Sequence, residues 1–190
     1  MNAVVTAAAR EETFNAQRLE AVFGACFAAR WRTRLVGGAG EPFYQPARSA
    51  GEYHLLHYRL DYFASALHEV AHWCIAGTRR RRLPDFGYWY AADGREPVQQ
   101  RAFEAVESRP QALEWFFSRA CGYRFRVSND NLAAGEHDCL PFQRSVLEQA
   151  RRWRQSGLPQ RASVFYKALA EEFGTAAQLR DAPFELEQLQ

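Results

Sequence analysis

Leu19, Val22, Phe23, Cys26 and Phe27, with Trp31 one turn further on, recur at spacings of three and four, the period of an amphipathic helix over Phe14–Trp31. The pattern then changes. "TRLVGGAGEPFYQP" (33–46) reads as a short strand, a glycine turn and an extended piece that Pro46 ends. "EYHLLHYR" (52–59) is rich in strand formers and is expected to enter a sheet. Helical spacing returns at Phe63, where Asp61 is placed to cap the helix and Gly77 to stop it.

After the basic turn "TRRRRLP" (78–84), the aromatic run "DFGYWYAADGR" (85–95) predicts a strand closed by an Asp-Gly turn. Val98–Glu107 is helical, and a further helix is expected from Pro110, a residue suited to a first helical turn. "SNDNLAAGEHD" (128–138) is a loop. "FQRSVLEQARRWRQ" (142–155) and "RASVFYKALAEEFG" (161–174) are two more helices joined by "SGLPQ" (156–160). The sequence contains no repeat. These patterns predict an α+β fold, a small sheet packed by about six helices, with the Phe63 helix at the centre.

Composition narrows the class. The 190 residues, 47% hydrophobic and 24% charged, are most simply one domain (1–190) with a substantial core. No apolar run approaches the ~20 residues of a membrane span. The start "MNAVVTAAAREE" has neither the basic residues nor the apolar run of a secretory signal, so a soluble, cytoplasmic protein is expected. Cys26, Cys74, Cys121 and Cys139 form no C-x-x-C pair and read as buried free thiols. A net charge of +2 is too small to imply general nucleic-acid binding.

The chemistry sits on the Phe63 helix. "ASALHEVAHWCIAG" (64–77) holds His68, Glu69 and His72 in the order H-E-x-x-H. Residues four apart share a helical face, so His68 and His72 can offer two imidazoles to one metal ion. Phe63, Leu67, Val70 and Cys74 fall on the opposite side, which makes an apolar back and an imidazole front. Glu69 lies beside His72 on the wheel. A third ligand must come from elsewhere, and a glutamate on another helix is the common completion. "RAFEAVESRPQALEW" (101–115) offers Glu104, Glu107 and Glu114. Glu107 is preferred for its place at the expected helix junction before Pro110, with Glu104 the alternative. His54 and His57, three apart on a strand, would face opposite ways, and nothing in its spacing singles out His137.

With these residues in view, the chain resembles a known family, the bacterial elongation factor P hydroxylases. The likeness rests on "FASALHEVAHWCIAG" (63–77), "DFGYWYAADGR" (85–95), "FEAVESRPQALEW" (103–115), "SNDNL" (128–132) and "FQRSV" (142–146), and runs from Phe14 to Gly174. Phe63 stands where some members are expected to carry tyrosine. The resemblance implies a metal-dependent hydroxylase that acts on a lysine side chain of elongation factor P already extended by a β-lysyl group. That hydroxylation is the last step of the modification, which helps ribosomes through consecutive prolines. It also implies a build unlike the 2-oxoglutarate oxygenases, with His68 and His72 as ligands beside the carboxylate placed at Glu107.

Two histidines and a carboxylate leave open positions at Fe(II) for molecular oxygen and substrate. The same ligands describe a zinc metallopeptidase, in which Glu69 would be the general base. In a hydroxylase Glu69 would orient a ligand or pair with the substrate's ammonium group. A non-catalytic adaptor that binds a partner through basic and aromatic surface is a third reading. On the expected strand, Phe86, Tyr88 and Tyr90 share a face opposite Trp89. Tyr88 and Tyr90 are candidates to hold a long cationic side chain, and Phe86 reads as core. Arg79–Arg82 follow the metal helix, and Arg80 and Arg81 are expected to be exposed and to steer an acidic protein partner. No membrane and no direct nucleic-acid partner is expected.

Overall fold

The computed structural model describes residues 13–87, 96–128, 139–179 and 183–189. The chain forms helix α1 (Ala16–Trp31), strands β1 (Thr33–Ala39), β2 (Phe43–Gln45) and β3 (His54–Arg59), and then helix α2 (Phe63–Ile75). Two short 3-10 turns, Arg80–Arg82 and Pro84–Gly87, precede α3 (Pro97–Cys121), α4 (Leu140–Ser156) and α5 (Gln160–Glu172). The fold is α+β, as the hydrophobic pattern predicts. Among the described residues there are five α-helices rather than six.

The missing helix is a fusion. The segments expected on either side of Pro110 form the single 25-residue α3, with the proline inside it. An interior proline removes one backbone bond and costs about 3 kcal/mol. The carbonyl that loses its donor belongs to Val106, whose residue is 41% exposed, so water can replace the partner. Beyond Pro110 the helix is anchored by Ala112, Leu113, Trp115, Phe116 and Phe117, all buried. Burial of that many apolar side chains outweighs one lost bond. Glu107 is therefore three residues before a mid-helix proline and not at a junction.

The sheet has the order β1-β3-β2, with β1 parallel and β2 antiparallel to β3. Leu35 and Tyr44 both register with Leu56, and these three side chains, with Tyr58, are buried on one face. The other face carries the exposed Arg34, Phe43 and Arg59. Gly37 is obligatory in this arrangement, since a Cβ there would lie 2.6 Å from Tyr58 Oη. That hydroxyl and the Gly37 N–H both donate to Glu20 Oε1, tying β1 and β3 to α1.

Helix α2 packs against β3, β1, α1, α3 and α5. Its back buries Phe63, Leu67, Val70 and Cys74, as the wheel predicts. Trp73 joins an aromatic layer with Phe23 and Phe27 at centroid distances of 5.1 and 4.8 Å. Asp61 does not cap this helix. The N-cap is Tyr62, with no side-chain bond, and Asp61 is exposed. The other end is tied by arginines: Arg161 Nη2 donates to the carbonyls of Trp73, Cys74 and Ala76, at 3.0, 3.0 and 2.6 Å.

Asp85 and Phe86 are not in a strand. Both are left-handed, with φ of 46° and 57°, in the turn that ends at Gly87. Local bonds hold this costly backbone: Asp85 Oδ1 accepts from Tyr44 N at 2.8 Å, and buried Phe86 stacks on Tyr44 at 4.3 Å. The rest of the expected strand, including Tyr88, Trp89 and Tyr90, lies outside the described residues, as does most of the loop with His137. All four cysteines are free thiols, Cys74 and Cys121 buried and Cys26 and Cys139 half-buried. No helix among the described residues is long and apolar enough to cross a membrane.

Candidate metal centre

The imidazole front of α2 faces α3. On α3, the polar residues Gln100, Glu104, Glu107, Gln111, Glu114 and Ser118 follow one another at spacings of four and three, which places them along one side of the helix. Five of them are buried, and Glu104 is half-buried. Buried carboxylates need partners, and α2 supplies them.

Glu107, 3% exposed, lies between the histidines, its Oε2 3.4 Å from His68 Nε2 and its Oε1 3.3 Å from His72 Nε2. The two Nε2 atoms are 3.1 Å apart. On the far edge of the His68 ring, Nδ1 is 2.8 Å from Glu114 Oε2. A carboxylate oxygen accepts, so Nδ1 carries the hydrogen. Burial by itself lowers the His68 pKa. The close approach of Glu107, the hydrogen bond to Glu114 and the charge of both outweigh it and hold the ring well above the ordinary histidine value. Burial would raise Glu107, but His72 and His68 take it far below the usual carboxylate range. Burial raises Glu114 despite His68. Glu69 is half-buried and is also raised by burial, against the pull of His72 and His68.

His68, His72 and Glu107 form the group among the described residues that could hold a metal ion. Bonds of about 2.0–2.2 Å to imidazole nitrogen and carboxylate oxygen place neighbouring ligand atoms about 2.8–3.6 Å apart, for angles from octahedral to tetrahedral. The Nε2–Nε2 distance of 3.1 Å falls in that range, and each Nε2 lies at a similar distance from a different Glu107 oxygen, Oε2 at 3.4 Å from His68 and Oε1 at 3.3 Å from His72. Two further features fit a cation. Glu107 Oε2 is buried and accepts no properly formed hydrogen bond among the described residues. The facing Nε2 atoms would repel as bare lone pairs unless a proton or cation lay between them. Imidazole and carboxylate donors suit Fe(II) and zinc alike.

The remaining sequence candidates are placed differently. Glu104, the alternative third ligand, accepts from Gln100 Nε2 at 3.1 Å and stands outside the group of three. Arg80 is exposed, with Nη1 3.3 Å from the Phe86 carbonyl. Arg81 is not exposed as expected. It is half-buried, donates to the Ala76 carbonyl, and lies 5.0 Å from the Trp31 ring. It is drawn in because the end of α2 leaves carbonyls that a guanidinium can satisfy. Sequence reasoning named Glu114 without finding its contact. The signal was there: Glu107 and Glu114 are seven apart, two helical turns, once the helix is taken through Pro110. Arg161 had no signal, because it meets α2 only through tertiary packing.

Fold and cluster together define a class: an α+β protein whose H-E-x-x-H helix presents two histidines to one buried carboxylate of a neighbouring helix. The family follows from comparison of sequences. The chain belongs to the elongation factor P hydroxylase family, whose model matches residues 22–184. It is 44% identical over 166 residues to a protein of Haemophilus influenzae called elongation factor P lysine hydroxylase, covering 87% of this chain and 93% of that one.

Proposed function

We propose that this chain hydroxylates the β-lysyl-modified lysine of elongation factor P, as the final step of that modification, in the cytoplasm. Fe(II) is the resident metal and molecular oxygen the co-substrate. The observation that carries the reading is the convergence of His68, His72 and the Glu107 carboxylate, one ligand atom from each lying within 4.8 Å of the others, in a member of this family. When bound, Fe(II) supplies the redox activation of oxygen that attack on an unactivated C–H bond requires.

The chain's own residues do the rest. His68, His72 and Glu107 hold the ion from two helices that pack against each other, so the ligand positions are set by the core and not by a loop. Glu69, beside His72, is a carboxyl that burial keeps above its usual range. An arriving ammonium group would favour its ionised form, so it is assigned to pairing with the cationic end of the substrate. Tyr88 and Tyr90 are assigned to the aliphatic and cationic parts of the same side chain. Exposed Arg80 is assigned to steering the protein substrate, and Arg81, half-buried at the end of α2, to supporting that surface.

The test is mass spectrometry of β-lysylated elongation factor P after incubation with Fe(II)-loaded protein, a reductant and isotopically labelled oxygen. One labelled oxygen atom should enter the modified side chain, and unmodified factor should react less. Peptide cleavage by zinc-loaded protein, with no oxygen gain under iron, would replace this reading with a metallopeptidase. Absence of any metal binding would favour a non-catalytic adaptor.

A further inference from the structure

We propose that Glu114 is the positioning carboxylate of the metal centre, holding His68 with hydrogen on Nδ1 and its Nε2 lone pair turned toward His72 and Glu107. The proposal rests on the reading of those three residues as the ligand set.

The geometry is specific. Glu107 and Glu114 stand two turns apart on α3, about 10 Å along its axis, and converge on opposite edges of one imidazole. Glu107 approaches Nε2 at 3.4 Å and Glu114 approaches Nδ1 at 2.8 Å. The second is a short, charge-assisted hydrogen bond, and the first is a longer contact that holds Nε2 less firmly, so Nε2 is the nitrogen an ion can take. A neutral histidine has two tautomers of similar energy, and its ring can turn over within its pocket. Only one combination of tautomer and orientation sends the Nε2 lone pair to the ion. A carboxylate on Nδ1 fixes that orientation and keeps the Nδ1 hydrogen in place, so the proton that an arriving ion displaces is the one on Nε2.

Burial gives an independent reason. Glu114 is 8% exposed, between Leu113 and Trp115 at 0% and 2%. Its side-chain partner among the described residues is His68. An ionisable group in such surroundings is strongly destabilising unless paired, and an apolar side chain would serve the packing of α3 better. What glutamate adds here, and leucine would not, is an acceptor for the Nδ1–H.

The experiment measures Co(II) affinity of the full chain by competition titration, for wild type, Glu114→Gln and Glu114→Ala. Thermal melting of each metal-free protein accompanies it. Loss of a hydrogen-bond partner behind a metal-ligating histidine typically weakens binding about 10–100-fold, and that is expected for Glu114→Ala. Glu114→Gln keeps a carbonyl oxygen that accepts the same Nδ1–H, so its loss should be smaller, about threefold to tenfold. This variant is nearly isosteric, so it keeps the test decisive if Glu114→Ala fails to fold. A purely structural Glu114 would lower the melting temperature and leave the Co(II) affinity of the folded protein unchanged. That result in the glutamine variant, or a larger loss for glutamine than for alanine, would overturn the proposal alone. Failure of the wild type to bind Co(II) would overturn the ligand set itself, and the role of Glu114 with it.

Discussion

Replacing Arg161 should loosen the helix that carries both histidines. Its Nη2 donates to three carbonyls at the end of α2, those of Trp73, Cys74 and Ala76. Its guanidinium carbon also lies 4.9 Å from the Trp31 ring and 4.8 Å from the Trp73 ring. One NH2 group has two hydrogens, so the three contacts amount to about two full bonds. Hydrogen bonds to a charged group net about 1.5–3 kcal/mol each, which puts the gross loss in Arg161→Met at about 3–6 kcal/mol. Two effects reduce it. Arg81 still donates to Ala76, and removing Arg161 relieves burial and the repulsion from Arg81, which both lower the Arg161 pKa. A net loss near 3 kcal/mol follows.

For a domain of this size each kcal/mol moves Tm by about 2–4 °C, so thermal unfolding of the metal-free protein should fall by about 6–12 °C. Arg161→Lys keeps the charge but not the planar fork, and should lose about half as much. The effect should reach the metal, because the last bond of α2 runs from the Ala76 N–H to the carbonyl of His72. A frayed last turn weakens Co(II) binding severalfold. If Arg161→Met melts within about 2 °C of wild type, water satisfies these carbonyls equally well and the argument is wrong.

Glu107→Gln should weaken metal binding by at least tenfold more than Glu104→Gln, measured by the same titration, and the reverse order would move the third ligand to Glu104. Acidity should act oppositely on the two forms of the protein. Glu107 is depressed, so its contribution to stability is present above the ordinary carboxylate range, near pH 4.3, and is lost as acid titrates it. His68 is raised, so its contribution is full below about pH 6.5 and is lost as pH rises through its folded value. Raised Glu114 and Glu69 oppose the Glu107 gain above about pH 4.3, so the expected change lies on the basic side. Metal-free protein should lose stability as pH rises above about 6.5, while Co(II) affinity climbs as the ion displaces the His68 proton; two flat profiles would contradict both. Arg80→Glu should slow association with elongation factor P in a salt-dependent way at unchanged Tm, whereas Arg81→Glu should also lower Tm, since Arg81 is half-buried against Trp31.

The two helices of the site were unequally readable. On α2, four apolar positions and the H-E-x-x-H spacing both express the 3.6-residue period, so helix, buried face and imidazole face come from local pattern. On α3, Pro110 is a local signal for a boundary, and tertiary packing overrode it. The aromatic run from Asp85 misled for a related reason. Phe86 is buried, as a core aromatic should be, but it reaches Tyr44 from a left-handed turn that no period-two pattern encodes. Arg81 and Arg161 share the last limitation. Whether an arginine is solvated or caps a helix depends on where that helix ends in space.

What α3 shows about the site is a departure from the usual burial rule. From Ala112 to Ser118 every side chain is buried, so this part of the helix has no solvent face on which to put its polar residues. Gln111, Glu114 and Ser118 are interior groups, and Gln111 answers its own burial by bonding both the N–H and the carbonyl of Ser128. Glu107 and Glu114 have no such backbone partner among the described residues, and they turn to His68 and His72. A cluster of two carboxylates and two imidazoles can be satisfied in two ways: by a proton shared among its nitrogens and oxygens, or by a cation in its place. The fold fixes the four side chains near one point and leaves that choice open. Metal and proton therefore compete for the same 3.1 Å gap between the two Nε2 atoms.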